Sequence, residues 1–415
     1  MNRKEIKKIK IISILYSIRD SFSLTISKIP IKLGELAIVY EIISGINKKI
    51  YKPRSKSESL ILLGLLLNLF SVIIVSLFNF NSIDHTFFLK FVFKNIFYFL
   101  FMLNIILTRK KINNESIKIM CKIIVLIQIP FFVLEYIFNI QVVGFSFIEP
   151  IQKITIGNIQ IYRFVGSASE PAYIIPLLAM PLYYFTNNKE KNRFYLYLTL
   201  LFIFLTFSPF GYCILALNYL IFLKKLRKQK HIKYIQEVLI LMLVFLILIL
   251  VIINTQLKTY FNSMFNKMLG YITFEYAGKM DWSAMDRSQH IRYAIELFKS
   301  SSFKNIIFGN GTGFYYFNSL NNPNLYINNV EEAYNLYLST LVDRGLLGFV
   351  LLIAIFVSIL NIKTNDSISK AIKFGIIVQF IHYGLVGNMW LYFLWFQVSM
   401  LICYNNNLER NEFKC

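Results

Sequence analysis

Leu60-Ile61-Leu62-Leu63-Gly64-Leu65-Leu66-Leu67-Asn68-Leu69-Phe70-Ser71-Val72-Ile73-Ile74-Val75-Ser76-Leu77 carries no charged side chain. At about 1.5 Å per residue, a helix of this length nearly matches a hydrocarbon core of about 30 Å. In lipid every backbone N–H and C=O must be paired within the segment, so such a run has to be a helix. Ile235 to Ile253 repeats the pattern. The two-residue alternation of a membrane barrel is absent. Hydrophobic residues make up 56% of the chain and charged residues 16%, with a mean hydropathy of +0.55. Soluble domains carry about 25% charged residues. The expected fold is an all-α integral membrane protein.

Hydropathy predicts about twelve transmembrane helices: Ile11–Ser27, Leu33–Ile46, Ser59–Phe78, Phe87–Leu107, Lys118–Ile140, Glu170–Phe185, Phe194–Phe207, Phe210–Leu223, Ile235–Ile253, Asn335–Leu360, Ile372–Val386 and Met389–Tyr404. The first is weak because Arg19 and Asp20 lie inside it, and a charge at the bilayer centre is costly. The chain divides into 1–254 (nine helices with a small outer segment, 141–169), 255–334 (one large extracytoplasmic loop with an amphipathic helix) and 335–415 (three helices and a cytoplasmic tail).

The net charge of +22 does not point to nucleic acid, because Lys and Arg fall in short clusters between apolar runs. The amino terminus and the loops at Lys48–Lys56, Arg109–Lys111, Lys189–Arg193 and Lys224–Lys233 are basic. The loops between them, such as Asn79–His85, are nearly free of cations. Cationic loops stay in the cytoplasm. The alternation therefore sets both termini inside and the polar stretch Leu257 to Glu332 outside; only the basic turn Lys28–Lys32 runs against it. The start, Asn2-Arg3-Lys4-Glu5-Ile6-Lys7-Lys8, reads as a basic cap with no cleavage site after it. Cys121, Cys213, Cys403 and Cys415 have neither metal-ligand spacing nor a place in the long loop, so no disulfide framework, metal or cofactor is expected.

Four constellations could carry chemistry. In Tyr162 to Pro171, Ser169 suits a helix N-cap with Pro171 in the first turn, and Glu170 is favoured by the helix dipole. Arg163 in the same segment offers a guanidinium fork for phosphate oxygens. In Asp281 to Ser301, Arg287, Ile291, Ala294, Ile295 and Phe298 recur at helical spacing, with Arg287 and His290 on one face and Arg292 on another. A lone histidine here is more often a solvated surface group than a catalyst. Phe308-Gly309-Asn310-Gly311-Thr312-Gly313 implies tight turns with positive φ and lacks the strand–helix context of a nucleotide site. Last come Glu331 and Glu332 at the entry to a helix, and the adjacent Asp343 and Arg344, whose side chains point apart on a helix. Glu331, Glu332 and His290 all remain candidates for a general base.

Taken in order, Arg163-Phe164-x-Gly166-x-x-x-Glu170-Pro171, Thr206-x-Ser208, Arg287, the glycine turn, Asn335-x-Tyr337-Leu338 and Asp343-x-Gly345-Leu346-Leu347-Gly348-Phe349 resemble the bacterial O-antigen and capsule repeat-unit polymerases (Wzy-type), which are similar to O-antigen ligases. The resemblance covers the second half of the chain. It implies a metal-independent glycosyltransferase of the bacterial cytoplasmic membrane. Such an enzyme moves a growing glycan from undecaprenyl diphosphate onto another lipid-linked repeat unit on the outer face. It also implies a flippase and a chain-length regulator as neighbours. The family's paired arginines fall on Arg163 and Arg287, with Arg292 nearby; Glu170, Tyr334, Asn335 and Asp343 support them. Related ligases carry His-Asn where this chain has Tyr334-Asn335, which favours a polymerase. Pro209 stands where Arg usually follows the Thr-x-Ser turn. A ligase-like transferase and a flippase of the same glycans are the alternatives. A flippase would call for charges at mid-bilayer and an inverted repeat.

Overall fold

A computed structural model describes residues 3–18, 21–26, 29–46, 48–150, 152–156, 159–188, 192–227, 262, 282–325, 331–387 and 392–412. The predicted ninth helix, Ile235–Ile253, and the first part of the long loop lie outside the described residues. Helices dominate. Among the described residues four helical stretches are long and apolar enough to cross a membrane: Lys56–Phe78, His85–Leu107, Asn114–Tyr136 and Leu336–Leu360. The chain is a mostly helical membrane protein.

The helices are α1 (Arg3–Ser17), α2 (Leu33–Gly45), α3 (Lys56–Phe78), α4 (His85–Leu107), α5 (Asn114–Leu126), α6 (Gln128–Tyr136), α7 (Ile175–Asn187), α8 (Arg193–Leu205) and α9 (Pro209–Arg227). After the undescribed stretch come α10 (Trp282–Ser300), α11 (Phe303–Phe308), α12 (Phe314–Leu320), α13 (Leu336–Leu360), α14 (Ser367–His382) and α15 (Tyr392–Glu412). Side-chain caps fix several starts: Ser55 accepts from Glu58 N, Asp84 from Phe87 N and Asn113 from Ser116 N.

The first predicted helix starts earlier, at Arg3, and ends at Ser17; Arg19 and Asp20 lie outside the described residues. The helical frame also carries small strands. Antiparallel two-stranded hairpins pair β1 (Leu24–Ile26) with β2 (Ile29–Ile31), β3 (Gln141–Val143) with β4 (Ser146–Ile148), and β5 (Lys153–Ile156) with β6 (Ile159–Tyr162). These stretches are rich in Ile, Val and Thr, which suit a pleated strand, and are too short to span lipid. The first two meet through a bridge between Ser21 and Gly144. Ser21 N also donates to Ser167 O (3.2 Å), so one layer joins the α1–α2 connection to the predicted outer segment.

Buried charges tie the bundle together. Glu35 on α2 is 4% exposed and pairs with Lys94 on α4, while the Tyr98 hydroxyl donates to the same carboxylate at 2.8 Å. A helix break positions the site. Inside α13, Gly345 has φ +63° and ψ −168°, which disturbs the i→i−4 ladder around it. The carbonyl of Val342 accepts from Asn310 Nδ2 (2.9 Å) and that of Asp343 from Gly311 N (2.8 Å). The glycine turn thus docks on the break. Gly309, at φ +95°, comes so close that a Cβ would lie 2.4 Å from Arg344 Cα.

Candidate active site

Helix α10 is amphipathic, and its inward face carries Asp286, Arg287, His290, Ile291 and Ala294, all under 9% exposed. Four-residue spacing sets Asp286 and His290 one above the other. His290 is completely buried, contrary to the surface histidine expected from its sequence context. The apolar residues beside it on the helix are what carry it inward.

A chain of contacts runs from the broken helix to Arg287. Both carboxylate oxygens of Asp343 accept from the start of α12, from Gly313 N at 3.0 Å and Tyr315 N at 2.9 Å. Asp343 therefore caps α12 from another helix and anchors Tyr315. The Tyr315 hydroxyl lies 2.5 Å from His290 Nδ1. His290 Nε2 faces Asp286 Oδ1 at 3.5 Å. The Tyr334 hydroxyl donates to Asp286 Oδ2 at 3.0 Å. The Arg287 guanidinium stacks over the Tyr334 ring, 5.3 Å from its centre. Burial, and then the Asp286 carboxylate, raise the Tyr334 hydroxyl above the usual phenol range. Burial does the same at Tyr315. Both stay neutral, and Tyr334 acts as a fixed donor to Asp286.

Arg287 Nη2 donates to Glu170 Oε2 at 2.6 Å. That contact joins α10 to the segment before α7. Glu170, and not Ser169, is the cap residue of the short 3-10 turn Pro171–Ile174, with extended backbone and no side-chain cap bond. Its carboxylate is committed to the arginine. Arg163 is half-buried in the same segment and holds other partners: Nε donates to Thr206 O at 3.0 Å and Nη1 to Gln152 Oε1 at 3.4 Å. The Thr206-Phe207-Ser208 turn is thus an anchor for Arg163. Arg292 is exposed on the opposite face of α10, apart from this chain of contacts.

The turn entering α13 supplies the carboxylates. Glu331 forms an ion pair with Lys90 on α4 (2.5 Å). Glu332 is half-buried, and its side chain packs on Gly387, where a Cβ would meet Glu332 Oε2 at 2.7 Å. Burial, followed by repulsion from Glu331, pushes the Glu332 carboxyl up to about 8. Tyr334 takes a left-handed φ of +50°, a conformation that costs a non-glycine residue of order 1–3 kcal/mol and recurs at functional sites. Asn335 caps α13, accepting from Tyr337 N (3.0 Å) and Leu338 N (3.1 Å), and donates to Gly384 O (3.2 Å). Asp343 and Arg344 do point apart, and both are buried. Arg344 reaches Asn68 Oδ1 (2.5 Å), Thr340 Oγ1 (2.7 Å) and the Phe91 ring.

The structure gathers Glu170, Arg287, His290, Tyr334 and Asp343 into one linked set, with Glu331 and Glu332 on the adjoining turn. Sequence reading missed Asp286, Tyr315 and Lys90 as members. The spacing of Asp286 and His290 could have revealed the first. Nothing local marks Tyr315 or Lys90.

Residues 194–353 match the O-antigen ligase family. The match runs from α8 into α13, so it takes in Arg287, His290, the glycine turn, Glu332 and Asp343, and leaves out Arg163 and Glu170. None of the curated proteins matches the chain.

Proposed function

The chain carries an O-antigen ligase-like domain, and from that premise we propose that it is a polymerase of lipid-linked oligosaccharide repeat units. It transfers the growing glycan from undecaprenyl diphosphate to the next lipid-linked unit on the outer face of the cytoplasmic membrane. The observation that carries this reading is one turn of chain. Tyr334 lies under the guanidinium of Arg287, and two residues before it stands Glu332, a carboxyl raised to about 8. Glycan transfer from a diphosphate needs both functions, and this turn carries the carboxyl and the ring on which the arginine lies.

An acceptor sugar hydroxyl gives its proton to the Glu332 carboxylate as its oxygen bonds to the anomeric carbon of the donor. The bond from that carbon to the diphosphate oxygen breaks, and the diphosphate leaves with the electron pair. Arg287 neutralises the charge that develops there, and its fixed fork needs little reorganisation. Arg163 serves the same diphosphate from the neighbouring segment. Of the three base candidates, Glu331 is held by Lys90, and His290 is sealed from solvent with both ring nitrogens facing side chains. Glu332 is left as the base. His290 positions Asp286 and, through it, Tyr334 and Arg287.

Glycan sizing in cells lacking the protein tests the reading. Single repeat units on the lipid carrier are expected. Long polymer retained on its lipid would instead make the protein a ligase, and loss of all external units would make it a flippase.

A further inference from the structure

At the far end of the bundle from Glu332, a cavity of about 260 Å³ opens between α1, α2, α4, α5 and α15. Helix α4 fixes the separation. Lys90 near its first turn holds Glu331, whereas Phe101 and Ile105 near its last turns line the cavity. The proposed topology puts this end in the inner leaflet. The floor is apolar, formed by Ile12, Phe101, Ile105, Met120, Phe396 and Met400. The mouth is charged, with Lys8, Lys110 and Lys111 set against Glu5 and Glu41.

Glu41 is the informative residue. It is 3% exposed, and Lys110 pairs with its Oε2. Among the described residues its Oε1 is buried without a hydrogen bond, with Lys8 paired to it at 3.6 Å. A buried carboxylate oxygen that makes no hydrogen bond is costly, and Lys8 supplies charge without one, so the site favours a donor from outside the chain. A bare phosphate offers none, whereas an ammonium does. A second groove of about 560 Å³ lies on the other side of α1, against α2, and shares Lys8 and Ile12 with the first. Ile11, Leu36 and Tyr40 line it, each about half exposed, so it opens toward the bilayer. Two apolar grooves meeting at one charged head site fit a molecule with two tails.

We propose that this end of the protein binds a two-chain aminophospholipid of the phosphatidylethanolamine class. Its ammonium donates to Glu41 Oε1, and its phosphate lies against Lys8 and Lys111. One acyl chain fills the inner cavity and the other follows the groove between α1 and α2. The site is separate from the diphosphate site and takes a lipid that is not consumed.

The full-length protein is reconstituted with equal parts dioleoyl phosphatidylethanolamine, phosphatidylcholine and phosphatidylglycerol, and retained lipid is counted by native mass spectrometry. Phosphatidylcholine has the same phosphate and tails but a headgroup with no donor. The ethanolamine lipid should be retained about tenfold over it, the scale of one charge-assisted hydrogen bond. Glu41→Gln should erase that preference. Lys111→Glu, on the exposed rim and away from the core, should lower retention of the ethanolamine lipid about fivefold or more by facing its phosphate with like charge. Equal retention of the ethanolamine and choline lipids by the wild type overturns the proposal, as does unchanged retention in a folded Lys111→Glu variant. Stronger retention of phosphatidylglycerol than of the ethanolamine lipid also overturns it. Because the readout is bound lipid and not glycan, the result stands apart from the fate of the polymerase reading.

Discussion

Glu332→Gln keeps the shape of the side chain packed on Gly387 and removes its basicity. With a carboxyl at about 8, roughly a tenth of the wild-type protein carries the active carboxylate near pH 7, about half near pH 8 and about nine tenths near pH 9. The wild-type rate should therefore climb nearly tenfold over that span. In the Gln variant it should lie about 10²-fold or more below wild type and lose this pH dependence. The assay is chain extension by purified protein in proteoliposomes loaded with lipid-linked repeat units, read as a glycan ladder. A stability measurement checks the same carboxyl independently. Its folded value lies above its unfolded one, so its contribution to stability is complete below about pH 4.5 and is lost as pH rises through about 8. Wild-type melting temperature should fall between those limits, and the Gln variant should fall less. Normal extension by the Gln variant, or a flat wild-type pH profile, would refute the base assignment.

Arg287→Ala should abolish long glycan at normal protein abundance, and Arg287→Lys should rescue it poorly, because an ammonium lacks the planar fork that meets Glu170 and covers Tyr334; normal chain length in either would remove Arg287 from the site. Arg163→Ala should also stop extension, and wild-type ladders would confine Arg163 to its contacts with Thr206 and Gln152. In a Cys213→Ser, Cys415→Ser background, which leaves the native thiols Cys121 and Cys403, both buried, cysteines at the exposed positions Lys304 and Asn321 should react with an impermeant reagent in intact cells; reaction only after permeabilisation would invert the topology. Gly309→Ala should lower the melting temperature sharply, since its Cβ would strike the backbone of α13 at 2.4 Å, and an unchanged melting curve would mean the turn is not docked there. His290→Ala should reduce extension while leaving the pH profile set by Glu332 in place, and wild-type extension would remove His290 from the chain of contacts that positions Arg287.

Much of the fold was legible because lipid imposes a simple rule. Helices α2, α3, α4, α8, α9 and α13 fall within a few residues of the apolar runs that announce them. What the runs could not show is how each helix ends or breaks. The predicted fifth helix is two, α5 and α6, and α13 breaks at Gly345, just after Asp343 and Arg344, in a run that hydropathy reads as one helix. The short hairpins were missed because three or four β-branched residues give no periodicity that stands out from a helical background. The site was legible in part. The carboxylates and arginines are rare in a greasy chain and draw attention by type alone. The burial of His290, the pairing of Arg287 with Glu170 across 117 positions and the link from Tyr315 to Asp343 are tertiary facts, and no local pattern encodes them.

The broken helix and the glycine turn are best understood as one device. An intact α13 would keep its carbonyls within its own ladder, and the segment before α12 would have nothing to dock on. The break at Gly345 lets Val342 and Asp343 offer carbonyls to Asn310 and Gly311, and the Asp343 side chain takes two more N–H groups from α12. With Asn310 N also donating to Val342 O, five hydrogen bonds register a polar segment against a helix that spans the membrane. The order continues from Tyr315 through His290 and Asp286 to Tyr334, and ends under the guanidinium of Arg287. On the proposed function, a loop that meets a lipid-borne diphosphate has to be held at a fixed depth, and bonds made to a spanning helix set depth more firmly than bonds within the loop itself. This accounts for Gly309 facing Gly345 in α13, while Gly311 lies against Ser76 of α3 and Gly313 against Asp84 before α4. The closest approach, Gly309 against Arg344 and Asp343, leaves no room for a Cβ on either strand of the contact, since one built on Gly345 would lie 2.5 Å from Gly309 N.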